Sequence, residues 1–514
     1  MALFDLGVIN ILTTILVAIL SLYYFSVKTY NHWKILGVKY AKPVPFFGNT
    51  FLTTFRKKSP PVNQQELYNM FPDEKYVGMF MFRTPFLVVR DPQLVHCILS
   101  KDFVHFYDRG ITIDERLDLL SSHLVNLRGQ QWKSIRSKLT PAFSSGKLKS
   151  MCSQLDGCAT VLSDYLEMKE ESQDIREIMA KFATDVIGSC AFGLQFNSLR
   201  DPDSQFRKMG REVFKPTFRF LFKFIARTFH PSLPYYLNLK AFSQDVENFF
   251  LNFVRDAMHQ RKENNIERKD FIQLLIELRK EESTGSNQGT KEKSVVLTEQ
   301  VMASNAFVFF LAGFETTSST MSFFLLEMAV NPSIQEAVRN EISKALEKHN
   351  GNLNYETIKD LPYMDMVISE TMRKYPIATA LLRECTQTYQ VPQNSLVIEK
   401  GTKVLIPVFS LHRDPLYFPD PDQFDPERFS PENKSKIVQG TYLPFGDGPR
   451  ICIGLRFAMM EMKFAFCKIM PKFEFTLSDR MVFPVEFKKG SPLLAPEDGI
   501  WLNVRRRDVE TTKQ

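Results

Sequence analysis

Apolar residues recur three and four positions apart over long stretches of the chain, which is the periodicity of helices with one buried face. This pattern covers residues 182–192, 242–261, 271–280, 301–330 and 334–348. Between Lys75 and Arg90, by contrast, two β-rich apolar runs flank Arg83-Thr84-Pro85 and predict a hairpin. The pattern therefore predicts a mainly α-helical protein with small β-sheets.

The longest helical pattern follows Thr298, whose side chain can cap a helix that has Glu299 in its first turn. The pattern continues to Asn331-Pro332, where the proline stops it. At about 1.5 Å per residue, a helix of this length extends roughly 50 Å. It is long enough to cross a whole domain.

The N-terminus carries an uncharged, nearly uninterrupted apolar stretch from Leu6 to Val27. Roughly 20 helical residues span the hydrocarbon core of a bilayer, so this stretch predicts one transmembrane helix. A cleaved signal peptide is the alternative, but the stretch is longer than a typical apolar signal region and follows Asp5 rather than a basic segment. Basic residues after the stretch place the downstream chain in the cytosol by the positive-inside rule.

A proline-rich segment comes next, with Pro43 and Pro45, and cannot continue a helix. It suggests a stiff hinge. We therefore expect an anchor over residues 1–27, a basic, proline-rich hinge over 28–50 and one catalytic domain over 51–514.

Two further segments differ from the helical pattern. Residues 280–293 are rich in Glu, Ser, Gly, Asn, Gln and Lys, and they predict an exposed loop. Between Phe206 and Phe229, aromatic residues alternate with Arg and Lys, as in Phe222-Lys223-Phe224. This pattern suits either a helix at a membrane interface or an ordinary core helix whose lysines reach solvent.

Composition narrows the function classes. A formal net charge of +7 without any Lys/Arg run argues against a nucleic-acid-binding arm. The seven cysteines are scattered and form no CxxC pair, which argues against a disulfide framework and a structural zinc site. The chain has 46 phenylalanines, so an interior with much aromatic surface, suited to apolar ligands, is expected.

The most informative string is Phe445-Gly446-Asp447-Gly448-Pro449-Arg450-Ile451-Cys452-Ile453-Gly454, followed by a helical pattern. A cysteine just before a helix has its thiolate favoured by the positive end of the helix dipole. The glycines allow the backbone to approach a flat cofactor, and Arg450 can pair with a carboxylate on it. A lone cysteine is more often a buried, inert thiol, so the prediction of a ligand depends on the whole string.

This string resembles the haem-binding loop of the cytochrome P450 superfamily, and every signature position is filled. The resemblance implies haem b as cofactor, with Cys452 as the thiolate ligand of the iron. It also implies the fold, a helix-rich domain with a smaller β domain behind the N-terminal anchor. Phe445 and Arg450 belong to the same cofactor-binding loop.

Within the long helix, Ala312-Gly313-Phe314-Glu315-Thr316 resembles the oxygen-activation motif of the family, in which a small pair opens a groove. The resemblance implies that Thr316 positions water and that Glu315 helps to relay protons. Threonines inside helices also commonly bond back to the preceding turn, so the string alone would be weak evidence.

Other motifs match the family at distant positions. Glu370 and Arg373, three residues apart, are implied to form a structural triad with the arginine of Pro426-Glu427-Arg428-Phe429. The contacts to the haem propionates are implied to come from Trp132, Arg136, Arg383 and Arg450. Each of these residues alone would more often be a core or solvated side chain.

Finer strings such as Phe106-Tyr107-Asp108-Arg109-Gly110 look like the insect microsomal branch that handles xenobiotics. That likeness implies an endoplasmic reticulum protein, single-pass, with its catalytic domain on the cytosolic face. The implied activity is an NADPH- and O2-dependent monooxygenation of small hydrophobic compounds such as plant toxins, insecticides, lipids or hormones. The implied partners are NADPH-cytochrome P450 reductase and also cytochrome b5, and no nucleic acid is expected.

Lysines and arginines near the haem loop are candidates for a basic face that receives an acidic redox partner, although ordinary solvated side chains are an almost equal alternative. The candidates are Lys133, Lys138, Arg456, Lys463 and Lys468. Two rival functions remain at this point. One is a haem-thiolate isomerase or dehydratase, which would need no reductase, and the other is a membrane-anchored carrier of hydrophobic ligands.

Overall fold

The computed structural model describes residues 2–111, 114–168, 172–194, 196–201, 204–214, 218–264, 268, 270–283 and 296–507. Its longer helices are α1 (Ala2–Val27), α2 (Pro60–Asn69), α3 (Pro92–His96), α4 (Gly129–Leu139), α5 (Ser145–Ser150), α6 (Cys152–Glu167), α7 (Ile175–Ile187), α8 (Gln205–Phe214), α9 (Phe218–Phe229), α10 (Gln244–Glu263), α11 (Phe271–Ser283), α12 (Glu299–Val330), α13 (Pro332–Lys348), α14 (Pro362–Lys374) and α15 (Leu455–Ile469). Short helical turns lie at His32–Ile35, Phe51–Thr54, Cys97–Lys101, Phe103–His105, Leu119–Ser121, Thr140–Phe143, Gly188–Phe192, Leu233–Tyr236, Thr357–Asp360, Val408–Leu411, Pro426–Phe429, Pro431–Lys434 and Gly448–Arg450.

The strands are short and form small sheets. They are β1 (Tyr76–Met81), β2 (Thr84–Val89), β3 (Ser172–Asp174), β4 (Leu381–Glu384), β5 (Tyr389–Gln390), β6 (Val397–Ile398), β7 (Lys403–Ile406), β8 (Phe473–Leu477) and β9 (Trp501–Arg506). One sheet has the order β1-β2-β7-β4, a second β3-β9-β8, and β5 pairs with β6. β1 and β2 are antiparallel, which confirms the predicted hairpin.

Helix α12 is the central element of the core. Thr298 caps its first turn by accepting a hydrogen bond from the Val301 amide, and the helix ends at Val330 before Asn331-Pro332, as predicted. Most of its residues are buried on all sides, which is the burial expected of a helix inside a large helical domain. A helix in this position can carry side chains to several neighbouring elements at once.

The segment after the anchor packs against the first sheet. The Trp33 indole donates a hydrogen bond to the Met79 carbonyl at 3.1 Å, and the Asn49 amide donates one to the Phe80 carbonyl at 2.7 Å. Gly78 provides the space for the Trp33 ring. The segment that the prolines mark as a hinge is therefore fixed to β1 at several points.

Some boundaries differ from the sequence prediction. Helix α11 extends to Ser283, so the first residues of the predicted loop at 280–293 are helical, and residues 284–293 lie outside the described part of the chain. The pattern at 182–192 is divided between the end of α7 and a π-helical turn at Gly188–Phe192. A wider turn shifts the apolar side chains only slightly, so the periodicity could not reveal it.

Candidate active site

Cys452 lies at the start of α15, in a loop built by glycines. Gly446 and Gly448 both have positive φ, and the Cys452 amide donates a hydrogen bond back to the Phe445 carbonyl at 3.0 Å. A Cβ atom at Gly448 would lie 1.9 Å from the Leu99 carbonyl oxygen, so the π-helical turn at Cys97–Lys101 supports the loop directly. The loop therefore requires glycine at position 448.

The Cys452 thiol is accessible, yet burial within the protein raises its pKa. A thiol can be accessible and still be surrounded by protein when it lines an internal cavity. The Gly454 and Leu455 amides and the nearby Arg109 and Arg136 act in the opposite direction and favour the thiolate. The surroundings are those of a sulfur that serves as a ligand.

Four arginines lie close enough to influence one another around this thiol. Burial lowers the pKa of Arg136 and Arg109, and the charge of Arg136 lowers the pKa of Arg109 further. Burial together with Arg109 lowers the pKa of Arg383 to about 9, and burial together with Arg109 and Arg383 lowers that of Arg450 to about 8. Such a concentration of positive charge is stable only beside an anion.

Arg450 also fastens the segment that precedes α4. Its guanidinium donates hydrogen bonds to the carbonyls of Tyr107 at 2.7 Å and Leu127 at 2.9 Å. It lies over the Trp132 ring at 4.1 Å from the ring centroid, a cation–π distance. Arg450 and Trp132, predicted separately as cofactor contacts, are therefore in direct contact with each other.

These residues fit the haem that the resemblance implies. A haem has two propionates, and the four arginines supply more charge than the neighbouring Asp108 neutralises, at 3.6 Å from Arg450. The Arg383 Nε is buried and has no hydrogen-bond partner among the described residues, as expected of a donor whose acceptor is a ligand. The accessible Cys452 sulfur would be the group that holds the haem iron, as a thiolate.

Helix α12 lies alongside α15. Phe324 stacks on Phe466 with ring centroids 3.9 Å apart, and Thr317 lies near Glu461. The two helices therefore run in the same direction, and the start of α15 is level with the turns of α12 around residue 310. Phe143 completes this connection, because its ring stacks on Phe309 and would lie 3.9 Å from a Cβ at Gly454.

Consecutive residues of the α12 motif have different neighbours. Ala312 and Thr316 are accessible in the middle of an otherwise buried helix, so they border the internal space. A Cβ at Gly313 would lie 2.3 Å from Ile187, so this glycine lets α7 approach rather than opening the groove. The implied small pair thus has two separate roles, and only Ala312 faces the space.

The acid and the alcohol of the motif are both engaged. The Glu315 carboxylate, which is buried, pairs with the Arg176 guanidinium of α7 at 2.7 Å. The Thr316 hydroxyl donates a hydrogen bond to the Ala312 carbonyl at 2.6 Å, the back-bonding that is common in helices. Its oxygen remains able to accept a hydrogen bond from a molecule in the space.

The structural triad is formed as implied. Arg373 pairs with Glu370 through two hydrogen bonds of 2.7 Å, and both side chains are completely buried. The Arg428 Nε lies 3.6 Å from the same carboxylate. Arg373 also donates to the carbonyls of His412 and Gln423, so the triad fixes the chain that leads to the Cys452 loop.

The candidate basic face is smaller than expected. Lys133 and Arg456 are exposed on α4 and α15. Lys463 is buried and bonds to Asp365 and the Ile358 carbonyl, so its assignment to the docking face was wrong. Lys468 pairs with Asp156 at 2.8 Å, which neutralises much of its charge.

Sequence reasoning missed three residues near this site. Arg109 was noted only as part of a subfamily string, and Arg176 gave no local signal because its partner is 139 positions away. Glu461 is completely buried, and burial raises its pKa well above the ordinary value, opposed by the nearby Thr317 hydroxyl. Its spacing of nine residues after Cys452 was the available signal.

Comparisons with known proteins agree with this geometry. A family model described as "Cytochrome P450" matches residues 38–503. The chain is 39% identical over 94% of its length to "Probable cytochrome P450 6a14" of Drosophila melanogaster, covering 97% of that protein. It is 38% identical to "Cytochrome P450 6k1" of Blattella germanica, over 95% of each chain, and 35% identical to "Cytochrome P450 9e2" of the same insect, over 96% of this chain and 98% of that one.

Proposed function

The chain belongs to the cytochrome P450 family, and on that premise we propose that it is an NADPH- and O2-dependent monooxygenase of small hydrophobic compounds. Family membership makes it a haem-containing oxidoreductase that takes O2, a substrate and electrons from a redox partner. Beyond family membership, the proposal specifies haem b as the cofactor, the roles of individual residues and the class of substrate. The observation that carries it is the accessible Cys452 thiol, which lies among four arginines and level with the accessible turns of α12.

Cys452 is proposed to hold the haem iron as a thiolate. When bound, the haem supplies the oxygen chemistry, in which one atom of O2 enters the substrate and the other leaves as water. The two electrons come from NADPH, so one substrate, one O2, one NADPH and one proton give the oxygenated product, water and NADP+. The Gly454 and Leu455 amides favour the anionic form of the sulfur and so oppose the effect of its burial.

The arginines orient the cofactor. Arg109, Arg136, Arg383 and Arg450 are proposed to neutralise the propionates. The Trp132 ring packs against the Arg450 guanidinium and holds it in place. Phe445 contributes through its backbone carbonyl, which accepts a hydrogen bond from the Cys452 amide. These contacts fix the cofactor relative to α12, so the substrate meets it in one orientation.

Thr316 and Glu315 are proposed to handle protons. The Thr316 oxygen can accept a hydrogen bond from water in the space beside Ala312, because only its proton is used in the bond to the Ala312 carbonyl. The Glu315 carboxylate is held by Arg176, so it must turn away from that guanidinium before it can pass a proton inwards. The pairing with Arg176 thus holds the Glu315 side chain towards α7.

The proposed cellular setting is supported by α1 and by its contact with α9. In the described part of the chain, Gly7–Val27 is the one helix that is long and apolar enough to cross a membrane, and it is not buried in the protein. Phe25 at its end stacks on Phe229 of α9 at 5.0 Å, and Phe222 of α9 is 57% exposed. These contacts support a single-pass protein of the endoplasmic reticulum, with α9 at the membrane surface and the division into 1–27, 28–50 and 51–514 described above.

The electron donor is proposed to be NADPH-cytochrome P450 reductase, with cytochrome b5 as a second donor. Lys133 and Arg456 are exposed on either side of the Cys452 loop and suit an acidic partner surface. The substrates proposed are apolar xenobiotics, such as plant toxins or insecticides, or lipids and hormones. A core with many phenylalanines beside the α12 turns supports an apolar ligand.

Turnover of the full-length protein in vesicles with the reductase tests this function. With 7-ethoxycoumarin as a xenobiotic probe, we expect NADPH oxidation, O2 uptake and the dealkylated product, and we expect Thr316→Ala to consume NADPH with little product. An isomerase or dehydratase would oxidise no NADPH in this assay, and a carrier would bind the probe unchanged. Either result would contradict the proposal.

A further inference from the structure

Asp108 is hydrogen-bonded to two of the elements that carry the arginines around Cys452. Its Oδ1 accepts a hydrogen bond at 2.8 Å from the backbone amide of Gly129, the first residue of α4, which carries Arg136. A carboxylate in this position satisfies an amide that has no partner within the helix. The Asp108 carbonyl accepts a second hydrogen bond at 2.8 Å from the backbone amide of Glu384, the residue after Arg383 in β4.

The other two arginines are close to Asp108 as well. Arg109 follows it in the chain, and the Arg450 guanidinium lies 3.6 Å from its Oδ1. Among the residues that the structure describes, no other carboxylate lies within ion-pair distance of any of the four arginines. Asp108 is only 5% exposed, so its charge acts mainly through the protein interior, where water screens it less.

Arg128 contacts the opposite side of the same carboxylate. Its Nε donates a hydrogen bond to the Asp108 Oδ2 at 3.1 Å, and its other end pairs with Glu384 at 2.5 Å. The Arg128 side chain is 40% exposed, so water screens its attraction to Asp108. One carboxylate oxygen therefore faces a partly exposed arginine that has a second acidic partner, while the other oxygen faces Arg450 in the interior.

The charge of Asp108 matters for a haem held at Cys452. A bound haem brings its two propionates, the Cys452 sulfur adds a negative charge as thiolate, and Asp108 supplies one more beside the four arginines. A neutral group at position 108 would leave one positive charge of the arginines uncompensated. Because reduction of the iron adds an electron, that excess positive charge would favour the reduced state.

We propose that Asp108 is a positioning residue that keeps the reduction potential of the haem low, because it joins the arginine-bearing elements and offsets one of their charges. The inference rests on the proposed function, since it requires a haem at Cys452. Asp108 does not need to touch the haem. It acts through Arg450 and through the α4 amide that it accepts from.

Spectroelectrochemical titration of the full-length holoprotein tests this inference. Asp108→Asn removes the charge but keeps the shape, and its amide oxygen can still accept from the Gly129 amide. In this variant we expect the ratio of ferrous to ferric haem at a fixed solution potential to rise roughly threefold or more. Asp108→Glu, which keeps the charge, should remain close to the unmodified protein. Asp114→Asn is the matched control, because it removes a carboxylate of the same segment that pairs with the exposed Arg116, and it should leave the ratio unchanged.

Arg128→Gln provides an independent variant with the opposite sign. It leaves the Asp108 carboxylate in place and removes the cation on its outer side, so we expect the ferrous fraction to fall, and it decides the matter if Asp108→Asn fails to retain haem. The ferric absorbance spectrum is recorded first, so that proteins with the same iron ligation are compared.

Three results would overturn the inference. They are an unchanged or lower ferrous fraction in haem-loaded Asp108→Asn, a change of equal size in Asp114→Asn, and an unchanged or higher ferrous fraction in Arg128→Gln. Faster release of haem from Asp108→Asn at an unchanged potential would show a structural role alone. An unmodified protein that binds no haem would instead contradict the proposed function itself.

Discussion

At the scale of single residues, Arg109 carries a positive charge beside another arginine, Arg136, and an anionic cofactor bound there would explain this arrangement. Burial and the charge of Arg136 lower the pKa of Arg109, so these surroundings destabilise its charged form. We predict that Arg109→Ala releases haem to apomyoglobin about tenfold faster or more, because a hydrogen bond between charged groups contributes about 1.5–3 kcal/mol. Arg116→Ala, which removes an exposed arginine of the same segment, should leave the rate unchanged.

His412 gives a second prediction at this scale. Its Nε2 accepts a hydrogen bond from the Leu443 amide, its Nδ1 faces the Arg373 carbonyl, and burial lowers its pKa to about 3. Between that value and the ordinary one, only the unfolded chain binds the proton, so stability is lost as the pH falls. The linkage relation gives about 2 kcal/mol lost between pH 6.5 and pH 5.

The urea midpoint of the holoprotein at pH 7 and pH 5 checks this. His412→Gln should reduce the loss of stability at the lower pH, whereas His259→Gln, an exposed residue, should not. A pH dependence that is the same in all three proteins would contradict the assignment of His412 as a neutral, buried base. His123, whose pKa burial also lowers to about 3, should contribute a loss of the same sign in all three proteins.

Residues within short motifs could be predicted from the sequence, and residues that meet across the fold could not. Cys452 and Thr316 lie in motifs that can be recognised from the spacing of their residues. The pairing of Glu315 with Arg176 depends on how α7 crosses α12, and a single sequence contains no signal for that crossing. The contact of Trp132 with Arg450 was missed for the same reason, although both residues were predicted.

At the scale of elements, the Cys452 loop and the turn at Cys97–Lys101 form one unit. Gly446 and Gly448 have similar positive φ angles, 77° and 69°, so alanine is strained by a similar amount at each. A Cβ at Gly446 has its nearest neighbour at 3.8 Å, whereas one at Gly448 would overlap the Leu99 carbonyl. The pair of positions therefore separates backbone strain from steric overlap.

We predict that Gly448→Ala destabilises the holoprotein by about 1–3 kcal/mol more than Gly446→Ala, which is the usual cost of overpacking. The free energy of unfolding in urea, measured with haem content, checks the difference. Equal losses in the two variants would show that the Leu99 carbonyl does not support the loop.

The long elements were predictable because their periodicity extends over many residues. The start and end of α12 were correct, since a capping threonine and a proline mark them. The π-helical turns at Cys97–Lys101 and Gly188–Phe192 were not, because one widened turn leaves the apolar spacing almost intact. The strands β5 and β6 pair with each other over two residues each, which is too short to produce a pattern of their own.

At the scale of the whole molecule, the proposed function requires that α1, the exposed basic side chains and the Cys452 loop allow electrons to reach a haem at the membrane. Trp33 and Asn49 attach the segment after α1 to the first sheet through the Met79 and Phe80 carbonyls. Lys463 shows what the sequence could not supply, because its position on α15 suited a docking face but its side chain points inwards to Asp365. The direction of a side chain at this scale is set by packing.

We predict that reduction of the holoprotein by the reductase slows as salt rises, because encounter is guided by charge. Lys133→Glu combined with Arg456→Glu should lower the rate about tenfold at low salt and remove most of the salt dependence. Lys400→Glu, an exposed lysine between β6 and β7, serves as the control and should have little effect. A salt-independent rate in the unmodified protein would contradict docking on this face.

The central claim is that Cys452 is the axial thiolate of a haem, and the reduced, carbon monoxide-bound spectrum of the full-length protein tests it most directly. We expect a thiolate-type band in the unmodified protein and in Cys467→Ala, which removes a buried thiol of the same helix. Cys452→His should replace that band with the histidine-type one and abolish NADPH-dependent oxygenation. A thiolate-type band that persists in Cys452→His, or an unmodified protein that binds no haem, would contradict the account.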